Sequence, residues 1–143
     1  MDPAALYFAQ RALVVVEGQL LSLRREYGAG DAWDLPGGRL GAREGLDVSL
    51  ERETLEEAGV RVLAGRVLDI ERWDLVIEGA PRIVVVAYRH AAILSAPSKI
   101  GVQNQDRGEG LIEAAWLGAA RVRSVPWLPS MRSTVCRLAE EIL

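Results

Sequence analysis

The sequence predicts an α/β fold, and three observations carry that prediction. Short runs of Val, Ile, Leu and aromatic residues are joined by glycine turns, as strands are. One stretch, Leu46 to Ala58, has helical composition with no Pro or Gly, and a C-terminal segment carries apolar residues at helical spacing. At 143 residues the chain is long enough to close one hydrophobic core and short for two, so a single domain spanning residues 1–143 is expected.

The elements follow in order. Leu6 to Gln10 and Ala12 to Val16 are β-prone, and Leu20 to Leu23 follows the turn Glu17-Gly18-Gln19, so the chain opens with antiparallel strands. From Glu26 to Ala32 small, polar and glycine residues replace the apolar pattern. Trp33-Asp34-Leu35-Pro36-Gly37-Gly38 then sets a proline beside two glycines, which reads as a rigid turn with exposed backbone. Leu46 to Ala58 is the first helix, and Gly59 stands where a helix takes a left-handed closing residue. Val48 and Leu55 are expected to form its core-facing side.

Val60 to Ile70, extending to Ile77, and Ile83 to Tyr88 form a second hairpin across the turn Glu78-Gly79-Ala80-Pro81. Ser95 to Gly110, with Pro97, Gln103, Asn104, Gln105 and Asp106, reads as a long surface loop of the kind that often carries function. Leu111 to Leu117 is a last strand. Pro129 then opens a helix through Leu143, with Met131, Val135, Leu138 and Ile142 on one face.

Composition narrows the function classes. The chain is half apolar and about a quarter charged, and its net charge of -3 offers no electrostatic basis for binding a nucleic-acid duplex. A small-molecule nucleotide remains a suitable partner. The single cysteine, Cys136, cannot form an intrachain disulfide, which fits a reducing compartment. Met1 to Gln10 lacks the features of a signal peptide and no apolar stretch has membrane-spanning length, so the chain reads as cytoplasmic with no membrane partner.

The chemistry gathers between Gly38 and Val60: Gly38, five residues, Glu44, seven residues, then Arg52-Glu53-Thr54-Leu55-Glu56-Glu57-Ala58-Gly59-Val60. At about 100° per residue, Glu53, Glu56 and Glu57 share one helix face. Like charges at that spacing weaken a helix, and a hard divalent cation such as Mg²⁺ or Mn²⁺ reverses the sign of the effect. A charge run alone is more often a solvated face. Seven specified residue types at fixed offsets, however, coincide by chance roughly once in 10⁸ windows.

This segment resembles the Nudix signature, G-x5-E-x7-R-E-U-x-E-E-x-G-U with U aliphatic, and departs from it only at Thr54, which stands at the first U. The resemblance implies the Nudix fold, a mixed β-sheet sandwiched between α-helices, and metal-dependent hydrolysis of a phosphoanhydride bond in a nucleoside diphosphate derivative. It also implies roles. Glu53 and Glu57 would be the principal ligands of Mg²⁺ or Mn²⁺, with Glu56 and the Gly37 carbonyl completing the site and Glu44 in or beside it. Arg52 would orient these carboxylates by charge-assisted hydrogen bonds. Family members take the general base from the signature or from a loop before the final strand. Glu109 and Glu113 are the corresponding candidates here, and glycine-flanked Glu109 is favoured.

Arg24 and Arg25 resemble an arginine pair that grips phosphate in the family, and Trp33 is a candidate for stacking on a base. Trp73, Tyr88 and Trp116 are further aromatic candidates, more in keeping with a core. The lone His90 cannot build a histidine metal site. Subfamily markers for ADP-ribose and diadenosine polyphosphates are absent, since residues 75 to 78 are Leu, Val, Ile and Glu. The expected substrates are therefore nucleoside triphosphates, damaged ones included, with nucleotide sugars or ADP-ribose-like compounds as the alternative. A non-catalytic nucleotide sensor is the rival outside enzymology. Isoprenoid diphosphate isomerisation would need a cysteine in the cleft, and Cys136 lies in the C-terminal helix. Family resemblance also admits a homodimer, although no interface is legible in the chain.

Overall fold

In the computed structural model, residues 5–102 and 109–143 are described. Local turn chemistry sets the hairpins. Glu17 and Gly18, with φ of 51° and 74°, join β2 (Val15–Val16) to β3 (Gln19–Tyr27). Glu78 and Gly79, at 53° and 76°, join β6 (Val62–Ile77) to β7 (Ala80–Ile93). Two successive residues at positive φ match the twist of the flanking strands, so these two-residue turns hold register. The segment Glu26 to Ala32, expected to interrupt the strands, instead closes a further hairpin from β3 through Gly28 to β4 (Gly30–Asp34), with Tyr27 opposite Gly30. Small residues at its tip leave the β-ladder intact.

Two four-stranded sheets result. One has the order β5-β1-β7-β6, in which β1 (Ala5–Leu13) lies parallel to β7 and antiparallel to β5 (Gly37–Arg39). The other joins β2, β3 and β4, with β8 (Leu111–Gly118) pairing antiparallel to β3. The expected antiparallel opening holds for β2 and β3. It fails for β1, whose partners lie far along the chain where no local pattern encodes them.

Strand alternation divides the interior into two cores. Ala12 of β1 and Val14 just after it, with Leu21 and Leu23 of β3, pack beneath α1 (Leu46–Ala58). Leu13 and Leu20 pack the other way, against α2 (Ala119–Ser124) and α3 (Arg132–Ile142) through Val122, Met131, Val135 and Leu138. The mixed sheet and the antiparallel one thus lie between helices. The helix α2 has no counterpart in the sequence expectations, and α3 begins three residues after Pro129, with buried Met131 at its N-cap. Among the described residues, no helix is long and apolar enough to cross a membrane.

The helix α1 keeps its expected bounds, but its core face is corrected. Leu50, Thr54 and Ala58 are buried, whereas Val48 and Leu55 are 59% and 42% exposed. The Thr54 hydroxyl is satisfied by donating to the Leu50 carbonyl at 2.8 Å, which is how a threonine occupies a fully buried position. Gly45 caps α1 without a side-chain hydrogen bond. The first turn is tied down instead by Arg89, buried on β7, which pairs with Asp47 at 2.6 Å, and by Gln10, whose amide donates to the Leu46 carbonyl at 2.8 Å.

Candidate active site

Burial of Leu50, Thr54 and Ala58 turns the adjoining flank of α1, with Glu53 and Glu57, toward β5. Both glutamates meet the glycine pair there. Gly37 has φ of 144°, and a Cβ on it would lie 2.0 Å from the Gln10 carbonyl oxygen. Its N–H donates to Glu57 Oε1 at 2.8 Å. A Cβ on Gly38 would lie 2.6 Å from Glu53 Oε2, so only glycine leaves room for that carboxylate. The expectation of exposed backbone from Trp33 to Gly38 is corrected, because residues 33–37 are buried and the Pro36 carbonyl accepts from Ala12 N–H. The turn is rigid because sheet and helix enclose it.

Electrostatics follows from this enclosure. Burial pushes the Glu57 carboxyl up to about 8; the Gly37 N–H opposes the shift, Asp34 adds to it, Arg11 opposes it and Glu53 adds to it. Glu53 is also raised, by burial first, with Arg52 and Arg11 opposing. Two desolvated carboxylates four residues apart, one of them fitted against a glycine, form a hard-oxygen donor pair suited to Mg²⁺ or Mn²⁺. Among the described residues, no three acidic, His or Cys side chains are already gathered into a cation cage.

Arg52 separates the outer carboxylates. It donates from Nε and Nη2 to Glu44 at 2.7 and 2.8 Å and from Nη1 to Glu56 at 2.9 Å, and its Nη2 lies 3.6 Å from Glu53. The bidentate arginine holds Glu44 below the usual carboxylate range, and Glu44 in turn raises Arg52. Glu56 is more exposed than Glu53 and Glu57 and faces this arginine rather than the glycines.

Strand alternation divides the arginine pair. Arg25 faces α1, with Nη2 3.9 Å from Glu57 and Nε 3.1 Å from Asp34. Arg24 faces the other way and is held by Asp31 at 2.7 Å and Glu113 at 2.8 Å. Glu113 therefore points with Arg24, away from the helix glutamates. Glu109 is exposed in the turn before β8, near the Arg25 end of β3, where the Gly110 carbonyl accepts from Glu26 N–H. Its neighbour Gly108, with Gln103 to Asp106 of the expected loop, lies outside the described residues.

Trp33, expected as a stacking ring, is corrected to a core residue. It is 4% exposed, and its backbone N–H and carbonyl bond to Pro126 and Leu128. Trp73 and Tyr88 are also buried, and both donate to Glu71. Tyr88 is pushed up by burial and by this carboxylate. Sequence reasoning missed Arg11 and Asp34, which stand next to Glu57. A lone, non-periodic charge inside apolar β1 was the hint at Arg11, and Asp34, the last residue of β4, carried none.

A family model described as the NUDIX domain matches residues 7–138. A Mycobacterium tuberculosis protein provisionally named 8-oxo-dGTP diphosphatase 2 is 29% identical over 110 residues, 77% of this chain and 70% of that protein. The MutT protein from Methanosarcina mazei Go1 superposes with a TM-score of 0.76 at 22% identity, covering 99% of this chain and 98% of the other. The E. coli ORF135 protein gives 0.74 at 16% identity, with 97% and 93% covered. An ADP-ribose pyrophosphatase from Streptococcus suis gives 0.67 at 18% identity, with 94% and 90% covered. At these identities the solved structures establish the shared fold.

Proposed function

The chain belongs to the Nudix family and is a Nudix hydrolase, and from that premise we propose that it is a divalent-metal-dependent pyrophosphohydrolase of nucleoside triphosphates, oxidised ones included. The products are a nucleoside monophosphate and a phosphate-containing remainder. The observation that carries the reading is the enclosed pair Glu53 and Glu57 against Gly37 and Gly38. The named activity of the Mycobacterium tuberculosis relative supports the choice of substrate class.

Glu53 and Glu57 would hold Mg²⁺ or Mn²⁺, with Glu56 and the Gly37 carbonyl as further donors. When held there, such an ion would supply charge neutralisation for the phosphate oxygens and a lowered pKa for the attacking water. Arg52 would hold Glu44 and Glu56 by charge-assisted hydrogen bonds, with its Nη2 3.6 Å from Glu53. Glu109 is the preferred general base, because Glu113 is engaged by Arg24 on the opposite face. Arg25 is the substrate-side arginine. The setting is cytoplasmic and the partner a small nucleotide rather than a duplex.

A panel of nucleoside triphosphates, 8-oxo-dGTP, nucleotide sugars, ADP-ribose and dinucleotides, assayed with Mg²⁺ and with Mn²⁺, tests the assignment. Preference for a triphosphate with monophosphate release supports it. Turnover confined to ADP-ribose or nucleotide sugars overturns the substrate class, and tight nucleotide binding without turnover favours a sensor. Glu109→Gln should slow the chemical step; if Glu113→Gln does so instead, the base is misassigned.

A further inference from the structure

Arg11 sits on β1 directly opposite Gly37, with its side chain only 13% exposed. Its Nε donates to Asp34 Oδ1 at 3.0 Å and its Nη1 to the Gln10 carbonyl at 3.0 Å, and its guanidinium lies 5.6 Å from the centre of the Trp73 ring. Asp34 is 2% exposed and also accepts from Leu35 N–H at 2.7 Å. Its second oxygen lies 3.1 Å from Arg25 Nε. One buried carboxylate thus stands between two guanidiniums. We propose that Arg11 and Arg25, held by Asp34, form a two-arginine grip for the substrate's phosphates, with Asp34 as its positioning residue. The proposal rests on the hydrolase reading above.

Three observations point to a ligand rather than to a closed ion pair. First, Asp34 and Glu57 together balance the two arginines, so a divalent cation on Glu53 and Glu57 would leave the cluster with a net positive charge that a phosphate would balance. Second, donors are spare. A guanidinium carries five N–H groups, and Arg11 engages two of them. The Arg25 side chain makes no hydrogen bond of standard geometry among the described residues: its Nε is buried without one despite its closeness to Asp34, and Glu57 is beyond hydrogen-bond reach at 3.9 Å. Third, the planar fork of arginine matches phosphate oxygens, and the contacts to Asp34, Gln10 and Trp73 fix the Arg11 fork in advance. Arg24 cannot serve this role while Asp31 and Glu113 engage it on the far face.

Calorimetry supplies the test, with inorganic pyrophosphate as probe on the Mg²⁺-loaded protein, and with Mg²⁺ alone in parallel. Arg11→Lys and Arg25→Lys keep the charge and lose the fork, Asp34→Asn releases the clamp, and Arg72→Ala, an exposed arginine paired with Asp74, is the control. Pyrophosphate affinity should fall about tenfold or more in the first three variants. Mg²⁺ affinity without pyrophosphate should stay within about threefold in the two lysine variants, which keep the charge beside Glu57, and Arg72→Ala should match the wild type. With the best substrate, the same variants should raise KM more than they lower kcat, which a purely structural loss would not do. Should Asp34→Asn fail to fold, the two lysine variants decide the matter. Unchanged pyrophosphate affinity in both, or an equal loss of Mg²⁺ affinity, overturns the grip while the hydrolase reading stands. A wild-type protein that binds neither pyrophosphate nor nucleotide at millimolar Mg²⁺ overturns both.

Discussion

At the scale of single residues, Glu57 joins the fold to the chemistry. Its carboxyl rises from 4.5 to about 8 through burial, so the folded protein favours the protonated form more than the unfolded chain does. That contribution to stability is complete below pH 4.5 and is lost as the pH rises through about 8. Metal-free protein should therefore lose melting temperature across that interval, and Glu57→Gln should flatten the profile while lowering turnover by several orders of magnitude. Thermal scans at stepped pH in chelator would show this, and a wild-type profile as flat as the variant's would refute it. Mg²⁺ affinity should rise over the same interval, because the ligand must shed its proton. Gly38→Ala tests the room for Glu53: metal affinity should drop with the circular dichroism spectrum unchanged, because the new methyl displaces a flexible carboxylate rather than backbone. The glutamates are legible in the sequence because an acidic triplet at helical spacing is a pattern. Arg11 and Asp34 are not, because a single charge in a strand has no period.

The helix α1 shows how far a periodic reading reaches. Its bounds and its closing residue follow from composition: Gly59 has φ of 79°, and its N–H donates to the Leu55 carbonyl at 3.0 Å. Gly59→Ala should cost about 1–2 kcal/mol in urea denaturation, from the left-handed backbone alone. A new Cβ would also lie 2.9 Å from the Lys99 carbonyl oxygen, which adds to that cost. The buried face is not legible in the pattern because the helix carries two apolar stripes. Val48 and Leu55 form one; Leu50 and Ala58 form the other, whose apolar character the Thr54 hydroxyl dilutes. Packing against Val60, Val62 and Ala91 selects the stripe of Leu50 and Ala58. Leu50→Ala should accordingly cost about 2–5 kcal/mol and Leu55→Ala under about 1 kcal/mol, and equal costs would contradict the assignment.

For the molecule as a whole, the candidate site forms where the two sheets and α1 meet: Gly37 comes from β5, Arg11 from β1, Arg25 from β3, Asp34 from β4 and Glu57 from the helix. A cation held by the folded state alone should raise the melting temperature, by an amount equivalent to about 2.7 kcal/mol at a hundredfold excess over Kd. No shift at millimolar Mg²⁺ or Mn²⁺ would count against the metal site. Local sequence suffices for the family, the helix that bears the glutamates, and the two hairpins closed by Glu17-Gly18 and Glu78-Gly79, since each depends on residues within a few turns of one another. Tertiary structure alone decided the parallel pairing of β1 with β7, the burial of Trp33, the opposed directions of Arg24 and Arg25, and the meeting of Arg11, Asp34 and Glu57. Those features depend on strand register and on which face each sheet covers, and residues distant in the chain acquire a common environment only when the sheets pack.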